Sequence, residues 1–406
     1  MVFSIKMSIK NILYITPSDI DDLLKKNVLE LVKQRDEDGF FNNVLSLIPI
    51  AKNNKKINVS SHIKIIQYGW KSKFNFLNKL KITKIFGTLL ILFKLAFIFP
   101  FQIKKEKISI IRATDPYYMG LIALYYSKIF KVPFVVSIHS NYDLGEKLKG
   151  QTFNILGSRQ LAKKLELFIY QKANLILPIR EFLKPKTKIE QNKIKIFPHG
   201  ISFADFDKTK FIDIKNRFNI EENKKIISFV GRVSKENYIF DVIKIAKELQ
   251  KIRSDFIFLI VGDGVERKNM QNQIVESQLQ NLCLDIGFQN REVVNNVRKQ
   301  SFISFSLMGG FSLIEACAGA RPVISYNVEW HYELVKNNKT GFLIKENNIS
   351  EVVEKIDFLI KNPEIANSIG KNARELAFNR HEIKNTVKIK QNIYKELLIE
   401  YYGKER

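Results

Sequence analysis

Residues 226–261, IISFVGRVSKENYIFDVIKIAKELQKIRSDFIFLIV, contain two short β-branched runs on either side of one helix-length segment. The runs, Ile226 to Val230 and Phe256 to Val261, have the length and composition of buried strands. Between them, apolar residues recur at the spacing of one helix face, at Ile239, Val242, Ile243, Ala246 and Leu249. A strand, a helix and a second strand in this order predict a parallel α/β sheet.

The same alternation continues on both sides of this stretch. The later candidate strands are Phe302 to Phe305, Pro322 to Tyr326 and Gly341 to Ile344. Before a charged segment at residues 205–225, the candidates are Asn11 to Ile15, Ile63 to Tyr68, Ile108 to Ala113, Pro133 to Ile138, Asn174 to Leu177 and Ile194 to Phe197. We therefore predict an α/β protein with two Rossmann-like domains, residues 1–203 and 204–384, and a final helix, 385–406, that packs back on the first domain.

The composition indicates a folded chain in a reducing compartment. The chain has 406 residues, more than the about 250 to 300 residues that one hydrophobic core usually serves. Since 45% of its residues are apolar, the chain is too apolar to be disordered. Cys283 and Cys317 lie in apolar segments, so neither a disulfide framework nor a zinc site is expected. The first apolar run is too short for a secretory signal, so we predict a cytoplasmic protein.

Positive charge is concentrated in the first half of the chain. The formal net charge is +20 over residues 1–200 and +5 over residues 201–406, and residues 52–105 contain twelve lysines and no acidic residue. Such a surface attracts anionic lipid, nucleic acid or diphosphate-linked substrates, although a coding sequence that favours lysine also explains an overall excess. Because the segment has no recognition helix or aromatic RNA motif, we expect no nucleic-acid partner.

An apolar segment interrupts this basic half. Residues 85–101, IFGTLLILFKLAFIFPF, hold Lys94 near the middle and are short for a membrane span of about 20 residues. Lysines flank the segment at Lys79, Lys81, Lys84, Lys104, Lys105 and Lys107. Two interpretations stay open: a helix lying in the plane of an anionic membrane surface, or a buried helix of the outer layer.

Two loops after predicted strands contain residues suited to a phosphate ligand. In residues 227–237, Gly231 and Arg232 follow a strand, and Lys235 lies nearby, so a guanidinium and an ammonium can clamp a diphosphate at the sheet edge. An arginine there is also common on a plain solvated loop.

The second loop lies in residues 305–325, FSLMGGFSLIEACAGARPVIS. Gly309 and Gly310 allow close approach of a ligand to the backbone, and the amides that open the next helix, at Phe311 and Ser312, can hold phosphate oxygens. Glu315, one turn later, can accept two ribose hydroxyls, although the GxGxxG spacing of dinucleotide sites is absent.

Taken in order, the motifs of the second half resemble one family. VGR at 230–232, VGDG at 261–264, GGFSLIEACAGARPVIS at 309–325 and TGFLI at 340–344 are similar to the donor domain of glycosyltransferase family 4. Residues 115–143 and FPHGIS at 197–202 add weaker matches. The resemblance implies the GT-B fold, in which the sheets of two Rossmann-like domains face a cleft, and retaining transfer of a sugar from a nucleotide sugar.

The resemblance also implies roles for particular residues. Arg232 would bind the donor diphosphate, Glu315 the ribose, and His139 the hydroxyls of the transferred sugar, and these three are the expected catalytic residues. The expected donor-binding set is Gly231, Arg232, Lys235, Asp263, Gly309, Gly310, Phe311, Ser312 and Glu315. The donor would be a UDP- or GDP-linked sugar. No essential metal is expected, because no Asp-x-Asp motif stands at a strand end.

Two positions depart from the family pattern. Leu307 replaces the first of two glutamates eight residues apart, and Asn237 stands where the phosphate-binding lysine usually falls, although Lys235 is close. Glu329 and His331, in NVEWHYEL, lie in a loop that can face the donor sugar and partly replace the lost carboxylate. The other interpretation of His331 is a surface-loop histidine.

His139 and Asp115 each follow a predicted strand of the first half. His139 suits hydrogen bonding to a hydroxylated ligand, but a histidine at a strand end is often structural. Asp115 suits either acceptor binding or capping of the next helix.

We therefore expect an enzyme, peripheral on the cytoplasmic face of an anionic membrane, that transfers a sugar to a membrane-linked glycan or lipid acceptor, such as a lipid-linked glycan, in envelope polysaccharide or glycolipid synthesis. A second hypothesis, favoured by Leu307, is a catalytically weak protein of the same fold that binds nucleotide sugars or acts as a scaffold.

Overall fold

The computed structural model describes residues 10–25, 29–69, 81–143, 158–186 and 189–403. The chain divides into two compact units. The first contains the chain up to Pro198 together with the residues from Val387 onward, and the second is His199–Thr386.

The first unit is built on a seven-stranded sheet of order β3-β4-β2-β1-β5-β6-β7. Its strands are β1 (Asn11–Ile15), β2 (Asn43–Ala51), β3 (Lys55–Asn58), β4 (Ile63–Gly69), β5 (Ile110–Ala113), β6 (Phe134–Ile138) and β7 (Leu175–Pro178). Neighbouring strands are parallel except for the edge strand β3, which is antiparallel to β4. The inner strands β1, β5 and β6 are buried along their whole length, as expected for a parallel sheet covered on both faces.

Helices cover both faces of this sheet. The α-helices of the described residues are Ile20–Lys25, Glu30–Lys33, Lys81–Phe93, Phe99–Ile103, Tyr118–Phe130, Arg159–Lys172 and Ile383–Gly403. One core packs Tyr118–Phe130 and Arg159–Lys172 against the sheet. The other core packs Tyr394, Leu397 and Leu398 of the final helix against β1. The final helix thus contributes to the core of the first unit.

The second unit is built on a six-stranded, wholly parallel sheet of order β10-β9-β8-β11-β12-β13. Its strands are β8 (Lys225–Val230), β9 (Phe256–Val261), β10 (Cys283–Gly287), β11 (Ile303–Phe305), β12 (Val323–Tyr326) and β13 (Gly341–Ile344). Its α-helices are Phe203–Asp207, Ile214–Arg217, Ile239–Leu249, Arg267–Glu276, Arg291–Gln300, Phe311–Ala318, Ile349–Lys361 and Pro363–His381. The predicted α/β class with two mostly parallel sheets is confirmed.

Individual strands differ from the sequence prediction. The prediction omitted β2, β3 and β10, whose sequences interrupt the apolar pattern with Pro49, with lysines and with Asp285, respectively. The strand predicted at residues 194–197 is wrong, because this segment makes only one bridge with β7, from Ile176 to Ile194. Pro178 of β7 has no N–H group to donate to a longer ladder.

The apolar segment forms a helical stretch that buries one face only. It runs through Lys81–Phe93, a π-helical turn at Lys94–Ile98 and then Phe99–Ile103. The buried face packs into the core of the first unit through Ile91, Leu95, Phe99 and Ile103. The exposed face carries Leu89, Leu92, Phe93, Phe97 and Phe101.

Among the described residues, 87–106 is the one helical stretch long and apolar enough to cross a membrane by length and composition. A third of its most apolar part is buried. The buried-helix interpretation therefore holds for one face, and the membrane-surface interpretation stays a prediction for the other, exposed face.

Candidate active site

The two loops with phosphate-type motifs lie at the same edge of the second sheet. Strands β8 and β11 are parallel, hydrogen-bonded neighbours, so their carboxyl ends meet at one edge. The loop after β8 carries Gly231 and Arg232, and the loop after β11 carries Gly309 and Gly310. Folding thus brings together two motifs that are far apart in the chain.

The Arg232 loop is interlocked with the loop after β9. The Val233 N–H donates to the carbonyl oxygen of Asp263 at 3.0 Å. Gly262 has a φ of +146°, and a Cβ on it would collide with the carbonyl oxygen of Gly231. This close packing requires glycine at position 262 and restricts the backbone that carries Arg232.

The cationic side chains of this loop are accessible to a ligand. Arg232 is exposed, and the Lys235 ammonium, also exposed, lies 3.6 Å from the Glu266 carboxylate. Asn237 donates from its side-chain amide to the carbonyl oxygen of Arg232 at 2.8 Å. Asn237 therefore supports the shape of the loop, where the family has a charge.

The second loop is tightly packed at Gly309. A Cβ on Gly309 would lie 2.7 Å from the Ser312 hydroxyl oxygen, so a larger residue does not fit without movement. The helix Phe311–Ala318 begins directly after this loop, and the free N–H groups of its first turn lie at the same sheet edge.

Glu315 lies in this helix between two arginines. Its carboxylate oxygens are 3.1 Å from the Arg298 guanidinium and 3.2 Å from that of Arg291. Arg298 is buried and also donates to the Ser312 carbonyl at 3.0 Å, whereas Arg291 is exposed. Burial lowers the pKa of Arg298, and the charge of Glu315 opposes this change. The buried ion pair with Arg298 orients Glu315, whereas its partner Arg291 is exposed to solvent.

Leu307 is completely buried in the hydrophobic core of the second unit. The position at which the family has its first glutamate thus holds a core side chain. An unpaired carboxylate in such surroundings costs several kcal/mol.

Both sequence interpretations of His331 are wrong. The ring is completely buried, with Nδ1 at 2.6 Å from the Ser325 hydroxyl oxygen and Nε2 at 3.0 Å from the Gly309 nitrogen. Trp330, also buried, donates from Nε1 to the Gly309 carbonyl at 3.0 Å. His331 is neither a surface residue nor placed to contact a donor sugar, because both ring nitrogens lie within hydrogen-bond distance of protein atoms.

His139 directly follows β6, at the edge of the first sheet, and is half-buried. Its removal from water, together with the positive charges of Arg112, Arg35, Arg180 and Lys390, lowers its pKa to about 3. The imidazole is therefore neutral at physiological pH and acts as a hydrogen-bonding group.

Some of these cations belong to a buried network. Arg112 donates to the Ser137 hydroxyl at 2.7 Å and to the Tyr394 hydroxyl at 2.9 Å. The Glu37 carboxylate lies 3.8 Å from Arg112 and 3.4 Å from Lys390. Sequence reasoning missed this network, since its members come from distant segments and share no motif.

Asp115 lies just before the helix Tyr118–Phe130. Its carboxylate accepts the Tyr117 N–H at 2.9 Å. Burial raises the pKa of Asp115 to about 6, although its hydrogen bonds with backbone N–H groups oppose the shift. These bonds at the start of the helix favour the capping interpretation, and acceptor binding by Asp115 stays a prediction.

A cavity of about 370 Å³ opens beside His139 and is lined by both of its chain neighbours, Ile138 and Ser140. Its lining combines cations, such as Lys163 and Lys186, with apolar side chains. A larger cavity of about 720 Å³ lies at the opposite, amino end of β7, against the final helix.

Within the part of the chain that the structure describes, no group of three or more His, Cys, Asp or Glu side chains is arranged to hold a metal ion. Metal-independent activity stays a prediction.

The second unit resembles known proteins in sequence, and the whole chain resembles solved structures in fold. Residues 210–376 match the profile of the family described as glycosyl transferases group 1. The chain is 23% identical over 287 residues to the alpha-monoglucosyldiacylglycerol synthase of Acholeplasma laidlawii, which covers 67% of this chain and 71% of that protein. It is 24% identical over 310 residues to the UDP-Gal:alpha-D-GlcNAc-diphosphoundecaprenol alpha-1,3-galactosyltransferase of Escherichia coli, which covers 73% and 78%.

A solved structure of HepE from Anabaena, in complex with UDP, has the same fold. The TM-score is 0.70 at 16% identity, over 96% of this chain and 99% of that one.

Proposed function

We propose that this chain, a glycosyltransferase of the GT-B fold whose residues 210–376 match the glycosyl transferases group 1 family, transfers a sugar from a UDP- or GDP-linked donor, with retained anomeric configuration, to a membrane-linked glycan or lipid acceptor. Such a reaction belongs to envelope polysaccharide or glycolipid assembly. The observation that carries the proposal is the meeting of the Arg232 loop and the Gly309 loop at one edge of the second sheet.

The donor nucleotide occupies this edge in the proposal. Arg232 and Lys235 hold the diphosphate together with the amides that begin the helix Phe311–Ala318. Glu315, oriented by Arg298, accepts the ribose hydroxyls. HepE, which shares the fold, was solved with UDP bound.

The chemistry breaks the bond between the anomeric carbon and the diphosphate, and the acceptor hydroxyl oxygen forms the new bond while its proton passes to the departing diphosphate. The departing diphosphate gains negative charge, which the cations and amides of the second sheet edge stabilise without an essential metal. His139 binds a hydroxyl of the transferred sugar. Because its ring is neutral, it adds no positive charge near an anomeric carbon that is itself becoming positive.

The proposed acceptor site is the cavity beside His139. Lys163 and Lys186 bring positive charge to its lining, and Leu167 and Phe182 bring apolar surface, a combination that suits a sugar joined to a phosphate group. The names of the two relatives support a lipid-linked acceptor, since one refers to a glucosyldiacylglycerol and the other to GlcNAc-diphosphoundecaprenol.

The exposed face of the apolar helical stretch is proposed to lie in the cytoplasmic surface of an anionic membrane. Phe93, Phe97 and Phe101 are exposed there, and the exposed Lys104 and Lys105 at its end can reach lipid phosphates. The opposite face is packed in the core, so the helix lies along the membrane plane. Lys79 and the side chains of Lys81 and Lys84, which belong to the same interpretation, lie outside the described part of the chain.

A donor and acceptor panel tests this function. The full chain is incubated with UDP-glucose, UDP-galactose, UDP-N-acetylglucosamine or GDP-mannose, and with anionic vesicles that contain diacylglycerol or a polyprenyl-diphosphate sugar. We expect one donor to release free nucleoside diphosphate only when one of these acceptors is present, and proton NMR of the product to show the anomeric configuration of the donor.

The controls separate the finer statements of the proposal. If the parent releases nucleoside diphosphate and Arg232→Ala does not, the activity is assigned to this site. An inverted product contradicts retention. Nucleotide binding without release from any pair contradicts the catalytic proposal and favours the nucleotide-sugar-binding hypothesis.

A further inference from the structure

Two consecutive buried side chains hold both polar backbone atoms of Gly309. The Gly309 N–H donates to Nε2 of His331 at 3.0 Å, and its carbonyl oxygen accepts the Nε1–H of Trp330, also at 3.0 Å. His331 is 0% exposed and Trp330 is 1% exposed, so water does not compete for either bond.

Nε2 of His331 lies 3.0 Å from the Gly309 nitrogen and 3.2 Å from the Gly309 carbonyl oxygen, which already accepts from Trp330. We therefore assign the proton to Nδ1, so that Nε2 accepts the Gly309 N–H and Nδ1 donates to the Ser325 hydroxyl at 2.6 Å. That hydroxyl then donates to the carbonyl oxygen of Ser306 at 2.7 Å. In the other tautomer, Nε2 carries the proton, so the Gly309 N–H would lose its acceptor on His331.

This chain of bonds begins and ends on the same loop, at Ser306 and Gly309. It closes a ring around the two residues between them, one of which is the buried Leu307. The loop is thus held from the protein interior, on the side away from solvent. A loop held in this way directs the following amides, at the start of the helix Phe311–Ala318, without adjustment when a ligand arrives.

We propose that Trp330 and His331 are positioning residues that hold the Gly309 peptide in the shape required to bind the donor diphosphate, an inference that rests on the proposed donor site. The family has a glutamate at the position of Leu307. In this chain, the buried side chains of Trp330 and His331 hold the same loop from the protein interior. Neither Trp330 nor His331 touches the donor. Both act through the backbone of Gly309.

Four variants of the full chain test this role. His331→Phe keeps an aromatic ring but removes both hydrogen bonds, His331→Gln keeps an acceptor, and Trp330→Phe removes one donor. The matched control is Tyr326→Phe, which removes a different buried hydrogen bond of the same unit, from the Tyr326 hydroxyl to Asp241 at 2.9 Å. For each, we measure the melting temperature without ligand, the affinities for UDP and GDP, and KM and kcat for the active nucleotide sugar.

We expect His331→Phe and Trp330→Phe to bind the preferred nucleotide about ten-fold or more weakly and to raise KM by a similar factor, because a buried donor or acceptor of the loop loses its partner. His331→Gln should recover to within about three-fold of the parent. Tyr326→Phe should lower the melting temperature and leave nucleotide affinity unchanged.

The inference is overturned if His331→Phe melts lower but binds the nucleotide as tightly as the parent, since the role would then be structural only. If His331→Phe does not fold, unchanged nucleotide affinity in Trp330→Phe overturns it, and the ten-fold loss there supports it. A parent chain that binds neither UDP nor GDP contradicts the proposed function, and this inference with it.

Discussion

The sheet edges of the two units are constructed differently. At the second sheet, the candidate site is made largely of backbone: the contact of Gly262 with Gly231, the Gly309 peptide and the first amides of a helix. At the first sheet, the surroundings of His139 are set by side chains from distant parts of the chain. A site made of backbone needs glycines at particular positions, whereas a site made of side-chain charges depends on which segments pack together.

This difference predicts how each edge responds to substitution. At the second edge, buried and exposed loop positions alternate over a few residues. Substitutions at the buried positions should therefore impair folding, and substitutions at the exposed positions should impair donor binding. At the first edge, changes should appear mainly in the dependence on pH and on membrane charge.

The largest effect is expected for Leu307→Glu. The side chain is completely buried, so the new carboxylate has no water and no partner, and we expect a loss of about 3 to 5 kcal/mol in the free energy of unfolding, without any gain in rate. Urea denaturation measures the loss. Leu307→Met, of similar volume, should cost less than about 1.5 kcal/mol. A stable Leu307→Glu variant with a faster rate would show that the loop can still use the carboxylate of the family.

Arg232→Ala should separate donor binding from folding. Arg232 is exposed, so stability should change little, but loss of a cation at the leaving diphosphate should lower kcat/KM by about 10² to 10³-fold. Nucleoside diphosphate release and thermal melting give the two quantities. Lys251→Ala, at an exposed position that pairs with Glu248, is the control and should leave both unchanged. Equal activity of Arg232→Ala and the parent would remove Arg232 from the site.

The first edge should be distinguished by its response to acid. The pKa of His139 is about 3 in the folded chain against 6.5 ordinarily, so between these values the unfolded chain binds a proton that the folded chain does not. Stability contributed by neutral His139 is therefore lost as the pH falls from about 6.5, by at most about 1.4 kcal/mol per pH unit.

His139→Gln checks this sign. Asp115, whose pKa is raised to about 6, acts in the opposite direction, so the informative quantity is the difference between variant and parent. We expect His139→Gln to lose less stability than the parent between pH 6.5 and pH 4 in chemical denaturation. Parallel pH curves would mean that burial and the surrounding cations do not lower the pKa of His139 in the folded chain.

The smallest effect is expected for the double variant Lys104→Gln and Lys105→Gln. Each lysine near an anionic surface contributes about 1 kcal/mol, so co-sedimentation with anionic vesicles should fall while nucleotide affinity stays constant. The exposed Lys247 and Lys251 of the second unit, changed to Gln, provide the control. Equal binding of the parent to neutral and anionic vesicles at low salt would contradict the membrane proposal.

The fold was largely predictable because its signals are local. Strands β8 and β9 and the helix between them follow from periodicity within one short stretch. The missed strands show the limit of this reasoning, since β10 contains Asp285 within its short length. The error at residues 194–197 arose because a parallel ladder depends on its partner, and the partner strand contains Pro178.

The amino-acid sequence alone determined the α/β architecture and the glycine and arginine motifs at the strand ends, because periodicity and backbone freedom are properties of neighbouring residues. Through the family resemblance, it also predicted that Leu307 stands where a carboxylate is usual. Only the folded chain reveals that Leu307 is in the core, that Glu315 lies between two arginines and that His331 holds Gly309. These are contacts between residues distant in the chain, and burial, pKa and hydrogen bonding depend on such contacts.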